Sequence, residues 1–310
     1  MKTSSLKSNL YLITAALIWG FAFVAQSVGL AHVGPFTFNA IRCVIGSLVL
    51  LPIIFINNKK IKKNGSAQKG SVKLLVLSGV LCGLILCVAS ALQQYGLMHT
   101  TVGKSGFITA LYIVLVPILG IFFKKRAGLL VWASVAIAVV GMYFLCISEN
   151  TAVNIGDIYT LLCAVAFAFH IIAIDYFAPK VDGVTLSCIQ FFVCAVASAA
   201  MMPIFGEYPK MENILAAWIP LLYAGALSCG IAYTFQILGQ RNTNPTVASL
   251  ILSFESVFAL LGGILLLKET PQLRELFGSL LMFCAVVLSQ IKIPLPFRRG
   301  NKPKAAAAKE

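Results

Sequence analysis

Ten apolar stretches of about twenty residues each, parted by connections too short to fold alone, run through this chain almost end to end. A bilayer core about 30 Å thick is crossed by roughly 20 helical residues. Only segments that satisfy their own backbone polar groups can lie there. The stretches fall at about 9–30, 36–56, 73–95, 105–123, 128–147, 157–177, 184–205, 214–238, 246–268 and 273–291. The longest connection is 57–72, so no soluble domain sits between them. The pattern predicts an all-α integral membrane protein of ten transmembrane helices, followed by a polar, disordered cytoplasmic tail at 294–310.

Composition closes off the soluble alternative. Hydrophobic residues make up 59% of the 310 and charged residues 11%, against roughly 45–50% and about 25% in soluble domains. A soluble interior of this size cannot hide so much apolar surface. The first stretch follows Lys2 and Lys7 like a signal peptide, but it is too long for a signal core and no small-x-small cleavage site follows it, so it reads as a retained first span.

Charge sets the orientation. With the N-terminus in the cytoplasm, nineteen lysines and arginines fall on the cytoplasmic side, including six lysines from Lys59 to Lys73 and Lys124, Lys125 and Arg126. Four fall outside, namely Lys104, Lys210, Lys268 and Arg274, while Arg42 lies within a span. This positive-inside bias places both termini in the cytoplasm and requires an even number of spans. The acids Glu149, Asp157, Glu207, Glu212, Glu269 and Glu275 then lie outside. The net charge of +14 is thus accounted for by membrane orientation, and nucleic acid is not expected as a partner. All nine cysteines fall in or at the ends of apolar runs with no CxxC pair, as buried free thiols rather than a metal or disulfide framework.

The stretch Val102–Ile121, VGKSGFITALYIVLVPILGI, resembles Arg241–Leu260, RNTNPTVASLILSFESVFAL, at an offset of about 139 residues. Each joins a polar turn to an apolar helix interrupted near its middle, by Pro117 in one and by Glu255-Ser256 in the other. Five spans per half is an odd number, so the halves, 1–150 and 151–293, must lie in the membrane with opposite topology. Inverted repeats with a midplane site between them characterise secondary transporters.

Further residues carry a family resemblance. Span 1 reads AALIWGFAFVAQ from Ala15 to Gln26, and span 2 opens PFTFNAIR from Pro35 to Arg42. Span 9 carries FESVFALLGGILLLKE from Phe254 to Glu269, and RELFGSLLMFCAVVLSQ follows from Arg274 to Gln290. Over nearly its whole length the chain resembles the EamA-type family of the drug/metabolite transporter superfamily. The resemblance implies two inverted five-helix repeats around a central substrate cavity, in a bacterial plasma (inner) membrane. One departure is Ser256, where the family often has proline after the acidic residue.

Several side chains are candidates for that cavity. Trp19, Phe23 and Gln26 share one helical face, which suits a wall for an organic solute and equally suits helix packing. Glu255 lies mid-membrane, where a carboxylate costs roughly 2.5–3.5 kcal/mol on insertion scales. It is open to three roles: a proton-coupling site, a partner for a cationic substrate group, or a structural hydrogen bond. Arg42 could snorkel, pair with Glu255, or meet an anionic substrate. Gln93 and Gln94 in span 3 and Tyr233 and Gln236 in span 8 occupy corresponding places in the two halves. Polar faces include Ser105, Thr109 and Tyr112 on span 4, Ser187, Gln190, Cys194 and Ser198 on span 7, and Ser249, Ser253 and Ser256 on span 9. His170, the lone histidine of span 6, reads as a hydrogen-bonded core residue or a proton relay.

No GxxxxGK[ST], HExxH or GxSxG occurs, so neither nucleotide hydrolysis nor a familiar catalytic site is indicated, and no cofactor or metal is expected. The expectation is a gradient-driven or facilitative secondary transporter, not an enzyme, with a small-molecule substrate, the lipid bilayer and protons as its partners. The cavity would be lined by spans 1, 3, 4, 6, 8 and 9. The rival reading is a membrane-embedded enzyme acting on a lipid or lipid-linked substrate, which would need clustered acids or histidines at one membrane face.

Overall fold

Many polar side chains turn inward in this protein, and many large apolar ones face outward. In the computed structural model Gln94, Ser105, Thr160, His170, Ser187 and Gln190 are wholly buried, whereas Phe122, Leu129 and Leu273 are among the most exposed side chains. Such an exterior is sustained by lipid. The structure describes residues 2–63, 71–100, 102–123, 128–146, 154–268 and 272–291. The basic group 124–126, the 64–70 part of the long connection, Glu149, Glu269 and the 294–310 tail lie outside the described residues, as do the side chains of Lys104, Cys146 and Glu275.

The described residues form helices and no strands. In order they are α1 (Lys2–Leu30), α2 (Pro35–Lys63), α3 (Val72–Leu97), α4 (Val102–Ala110), α5 (Tyr112–Phe122), α6 (Leu129–Cys146), α7 (Ile155–Phe177), α8 (Gly183–Met201), α9 (Met211–Ala216) and α10 (Trp218–Leu222). A π-helical segment (Tyr223–Tyr233) and then α11 (Thr234–Gln240), α12 (Pro245–Leu252), α13 (Glu255–Leu267) and α14 (Leu273–Gln290) complete the chain. Among the described residues, eight segments are long and apolar enough to cross a membrane: Leu6–Leu30, Pro35–Lys59, Val72–Leu97, Ser105–Phe122, Ile155–Phe177, Gly183–Met201, Trp218–Gln240 and Pro245–Leu266. Two further apolar helices, Leu129–Phe144 and Leu276–Ser289, are shorter.

Helix starts follow local chemistry. Asn154 and Asp157 form a reciprocal capping box on α7, and Asn244 caps α12, whose first residue is Pro245. The seventh apolar stretch ends as helix at Met201 rather than near 205, because Pro203 cannot continue the ladder. The eighth opens with the short helix α9 before α10 begins at Trp218.

Two segments are broken mid-span. One resumes at Tyr112 after Leu111, the other at Glu255 after Ser253 and Phe254. The first break lies ahead of Pro117, which stays inside α5. Its missing bond falls at Ile113, already within α5, so the proline does not set this break. The two restarts, Tyr112 and Glu255, are 143 residues apart, about one helical turn beyond the offset of 139 that the residue pattern predicts.

We call the end of the bundle where α1 finishes and α2 begins the distal face. There the α3 terminus meets α7, with Thr100 Oγ1 donating to Asp157 Oδ1 at 3.0 Å. Within the bundle α2 packs on α8, α3 on α7 and α8, α1 on α13 and the π segment, and α6 on α14.

Candidate substrate cavity

Near the middle of the bundle, residues of α1, α2, α3, α4, α5, α7, the π segment, α11, α12 and α13 line a cavity of about 30 Å³. That is room for about two waters, short of the roughly 300–1,000 Å³ of a filled small-molecule site. One wall is the α1 face of Trp19, Ala22, Phe23 and Gln26. The ring of Tyr233 meets that of Trp19 edge-on, with centroids 4.6 Å apart, and Phe167, Ile171 and Leu252 add apolar surface.

The polar groups form two separate sets. Arg42 lies two turns below the distal start of α2 and is 3% exposed. Its Nε donates to Asn39 Oδ1 at 2.9 Å and its Nη1 to Gln26 Oε1 at 3.2 Å. Gln26 Oε1 also accepts from Gln94 Nε2 at 3.2 Å. Asn39 is held in turn by its Nδ2, which donates to Ser198 Oγ at 2.8 Å. This neutral amide shell fixes the guanidinium without cancelling its charge. The second set centres on Glu255, 4% exposed, whose Oε1 accepts from Tyr112 Oη at 2.9 Å. Among the described residues, Arg42 and Glu255 do not bond each other. A guanidinium and a carboxyl therefore stand in one cavity, each oriented by neutral partners.

Two more groups lining the cavity are buried with no hydrogen-bond partner, the indole Nε1 of Trp19 and the amide Oε1 of Gln236. Buried polar atoms are rarely left so. They offer one donor and one acceptor to a bound solute. Among the described residues, no group of three or more His, Cys, Asp or Glu is placed to hold a metal ion.

The π segment brings Ser228 and Tyr233 to this wall. It packs very closely on α2. A Cβ on Gly46 would meet Cys229 Cβ at 2.5 Å, and one on Gly225 would meet the Arg42 carbonyl oxygen at 3.0 Å.

Comparison with known proteins fixes the family. The model of the EamA-like transporter family matches residues 6–147 and again 154–290. This chain belongs to the EamA-like transporter family. It is 30% identical over 294 residues to an uncharacterized transporter of Archaeoglobus fulgidus, covering 93% of this chain and 87% of that protein. It is 26% identical to the uncharacterized transporter YoaV of Bacillus subtilis, covering 91% and 96%. A solved crystal structure shares the fold with a TM-score of 0.72 at 17% identity, covering 91% and 96% of the two chains. A transporter-type function in a multi-pass membrane protein follows from the family, and its relatives carry transporter rather than enzyme names.

In this EamA-like chain the cavity gathers Trp19, Phe23, Gln26, Arg42, Gln93, Tyr112, Tyr233, Gln236 and Glu255. Gln94 stands behind it, bonded to Gln26. His170 is also set back, fully buried, with Nε2 3.2 Å from Gln190 Oε1 and its ring edge-on to Tyr233. The hydroxyls of Ser249, Ser253 and Ser256 donate to carbonyls three residues back, so they serve their own helix. Most described thiols are buried, but Cys188 is half-buried and Cys284 faces outward. Asn39, Phe167, Ile171 and Ser228 were not singled out by residue pattern. Asn39 alone had a legible signal, three residues before Arg42 on the same helix face.

Proposed function

We propose that this chain is a secondary transporter that carries a small zwitterionic organic solute by alternating access. Two inverted five-helix halves would rock around the central cavity. The observation that carries the reading is the placement of one buried guanidinium and one buried carboxyl in a cavity otherwise walled by amides, hydroxyls and apolar side chains. A solute's anionic group would meet Arg42, its cationic group Glu255, and its body the rings of Trp19 and Tyr233. The double match of the family model, over residues 6–147 and 154–290, supports two related halves. The two mid-span breaks at Leu111 and at Ser253–Phe254 support a pair of discontinuous helices around the site. The lysine and arginine bias supports a plasma-membrane orientation with both termini in the cytoplasm and the distal face outside.

Glu255 is also the group best placed to exchange a proton, because Tyr112 leaves its second oxygen unengaged. The test is solute uptake into proteoliposomes across a panel of amino acids, sugars and nucleotides, with and without a pH gradient. The expected result is saturable flux of at least one zwitterion, reduced about tenfold or more in Arg42→Gln and in Glu255→Gln, as loss of one charge-assisted contact implies. No flux of any solute would sink the transport reading. Unchanged pH dependence in Glu255→Gln would remove Glu255 as the coupling group.

A further inference from the structure

Glu207 does not line the cavity, yet it caps the distal end of α2. We infer that Glu207 is a positioning residue that latches α2 to the α8–α9 connection and so holds the distal face closed; its role as a gate rests on the transport reading. Its Oε2 accepts from Thr37 N at 2.7 Å and from Thr37 Oγ1 at 2.8 Å, and its Oε1 accepts from Phe36 N at 3.0 Å. The residue before Pro35 is Gly34, so α2 has no capping side chain of its own there. The cap arrives from a residue 170 positions away, and the positive end of the helix dipole favours its charge.

Three further features serve this contact. A Cβ on Gly34 would collide with the Glu207 carboxyl. Gly206 has φ +71°, the left-handed turn that brings Glu207 back over α2, and Glu207 N is pinned to Met202 O at 2.8 Å. Phe205 packs on Phe36, with ring centroids 4.7 Å apart. The contact is a latch rather than core glue because of its surroundings. Pro203, Ile204, Phe205, Gly206 and Tyr208 are exposed, and Glu207 itself is only half-buried, so its carboxylate can return to water when released. Below it, by contrast, the Asn39–Ser198 bond is wholly buried. Arg42 lies on the same helix, so displacement of the α2 end would carry the guanidinium with it.

Native thiols report the opening without any substrate. Cys43 and Cys194 are fully buried below the latch, and Cys82 is fully buried in the opposite half of α3. The full chain in nanodiscs is treated with a water-soluble maleimide, and labelled sites are mapped by mass spectrometry. In Glu207→Ala and in Gly34→Ala, labelling of Cys43 and Cys194 should rise about tenfold, the factor for losing one charge-assisted hydrogen bond from the closed state. Labelling of Cys82 should stay at the wild-type rate. Glu207→Gln, which keeps the side-chain shape, is read the same way wherever the other variants lose the fold. Wild-type labelling of Cys43 and Cys194 in a folded variant whose Phe36 and Thr37 amides exchange faster would overturn the proposal, since the cap would then be lost without any opening. An equal rise at Cys82 would overturn it too, as general loosening. Confirmed opening alongside absent solute flux would leave the latch standing and remove the transport reading alone.

Discussion

The first turns of α2 and α8 are satisfied by the same chemistry reached in opposite ways. Thr185 gives its backbone N–H and its hydroxyl to Asp182 Oδ2, at 2.8 and 2.7 Å. Thr37 gives the same two groups to Glu207 Oε2, at 2.7 and 2.8 Å. Asp182 is three residues from the threonine it caps, whereas Glu207 is 170 residues from Thr37. A local cap stabilises one helix end and nothing else. A remote cap with the same two bonds to its threonine, and a third from Phe36 N, also joins two segments, so its loss must be felt by both. The function of such a carboxylate therefore depends on which piece of chain it is attached to.

The strongest challenge to this contrast is Glu207→Ala. It should lower unfolding stability in mixed micelles by about 2 kcal/mol, the net effect of losing charge-assisted hydrogen bonds from a partly solvated site. Faster amide exchange should appear in α2 and in the 202–210 connection together. Gly34→Ala should come next, at about 1–2 kcal/mol from overpacking against the carboxyl. In the Glu207→Ala background the same change should cost close to nothing, and a double-mutant cycle that proved additive would refute the contact. Asp182→Ala should cost about 1 kcal/mol, the usual effect of losing an N-cap. Its exchange changes should stay within the first turn of α8, and spread to the distal face would erase the distinction drawn here. The smallest effect belongs to Gly206→Asn, a few tenths of a kcal/mol, because asparagine tolerates a left-handed backbone better than other residues with a side chain. Gly206→Val in the same assay should be clearly worse.

The local cap was within reach of the residue pattern, and the remote one was not. Asp182 stands directly before an apolar run with Thr185 three residues on, whereas nothing around Gly34 points to position 207. The same divide runs through the rest of the molecule. Helix positions follow from apolar length because lipid forces each segment to satisfy its own backbone. The Trp19, Phe23 and Gln26 face was legible from helical periodicity, and Arg42 and Glu255 from the cost of charge in an apolar run. The structure brings all five together at one cavity. Gln94 and His170 lie just behind that wall because a polar residue in a buried bundle can face a neighbouring helix as well as a cavity. The break at Leu111 was not legible from Pro117, whose missing bond falls at Ile113 inside α5. Of the partners of Arg42, Asn39 lies on its own helix, but Gln26 is brought to it by the packing of α1, which no single segment encodes.

The π segment sets a limit on how this chain can tolerate insertions and deletions. Its wide turns store extra backbone length between Tyr223 and Tyr233 without lengthening the span. Removal of one residue there could be absorbed by reversion to ordinary α-helix, leaving the segment able to reach both ends of the bundle. A wide turn that takes up one extra residue leaves the side chains on either side facing as before, so that loss would keep Tyr233 and Gln236 on the cavity wall. The same deletion in ordinary α-helix would turn every later side chain by about 100°. The π segment is therefore the stretch where this span can lose a residue and keep its site.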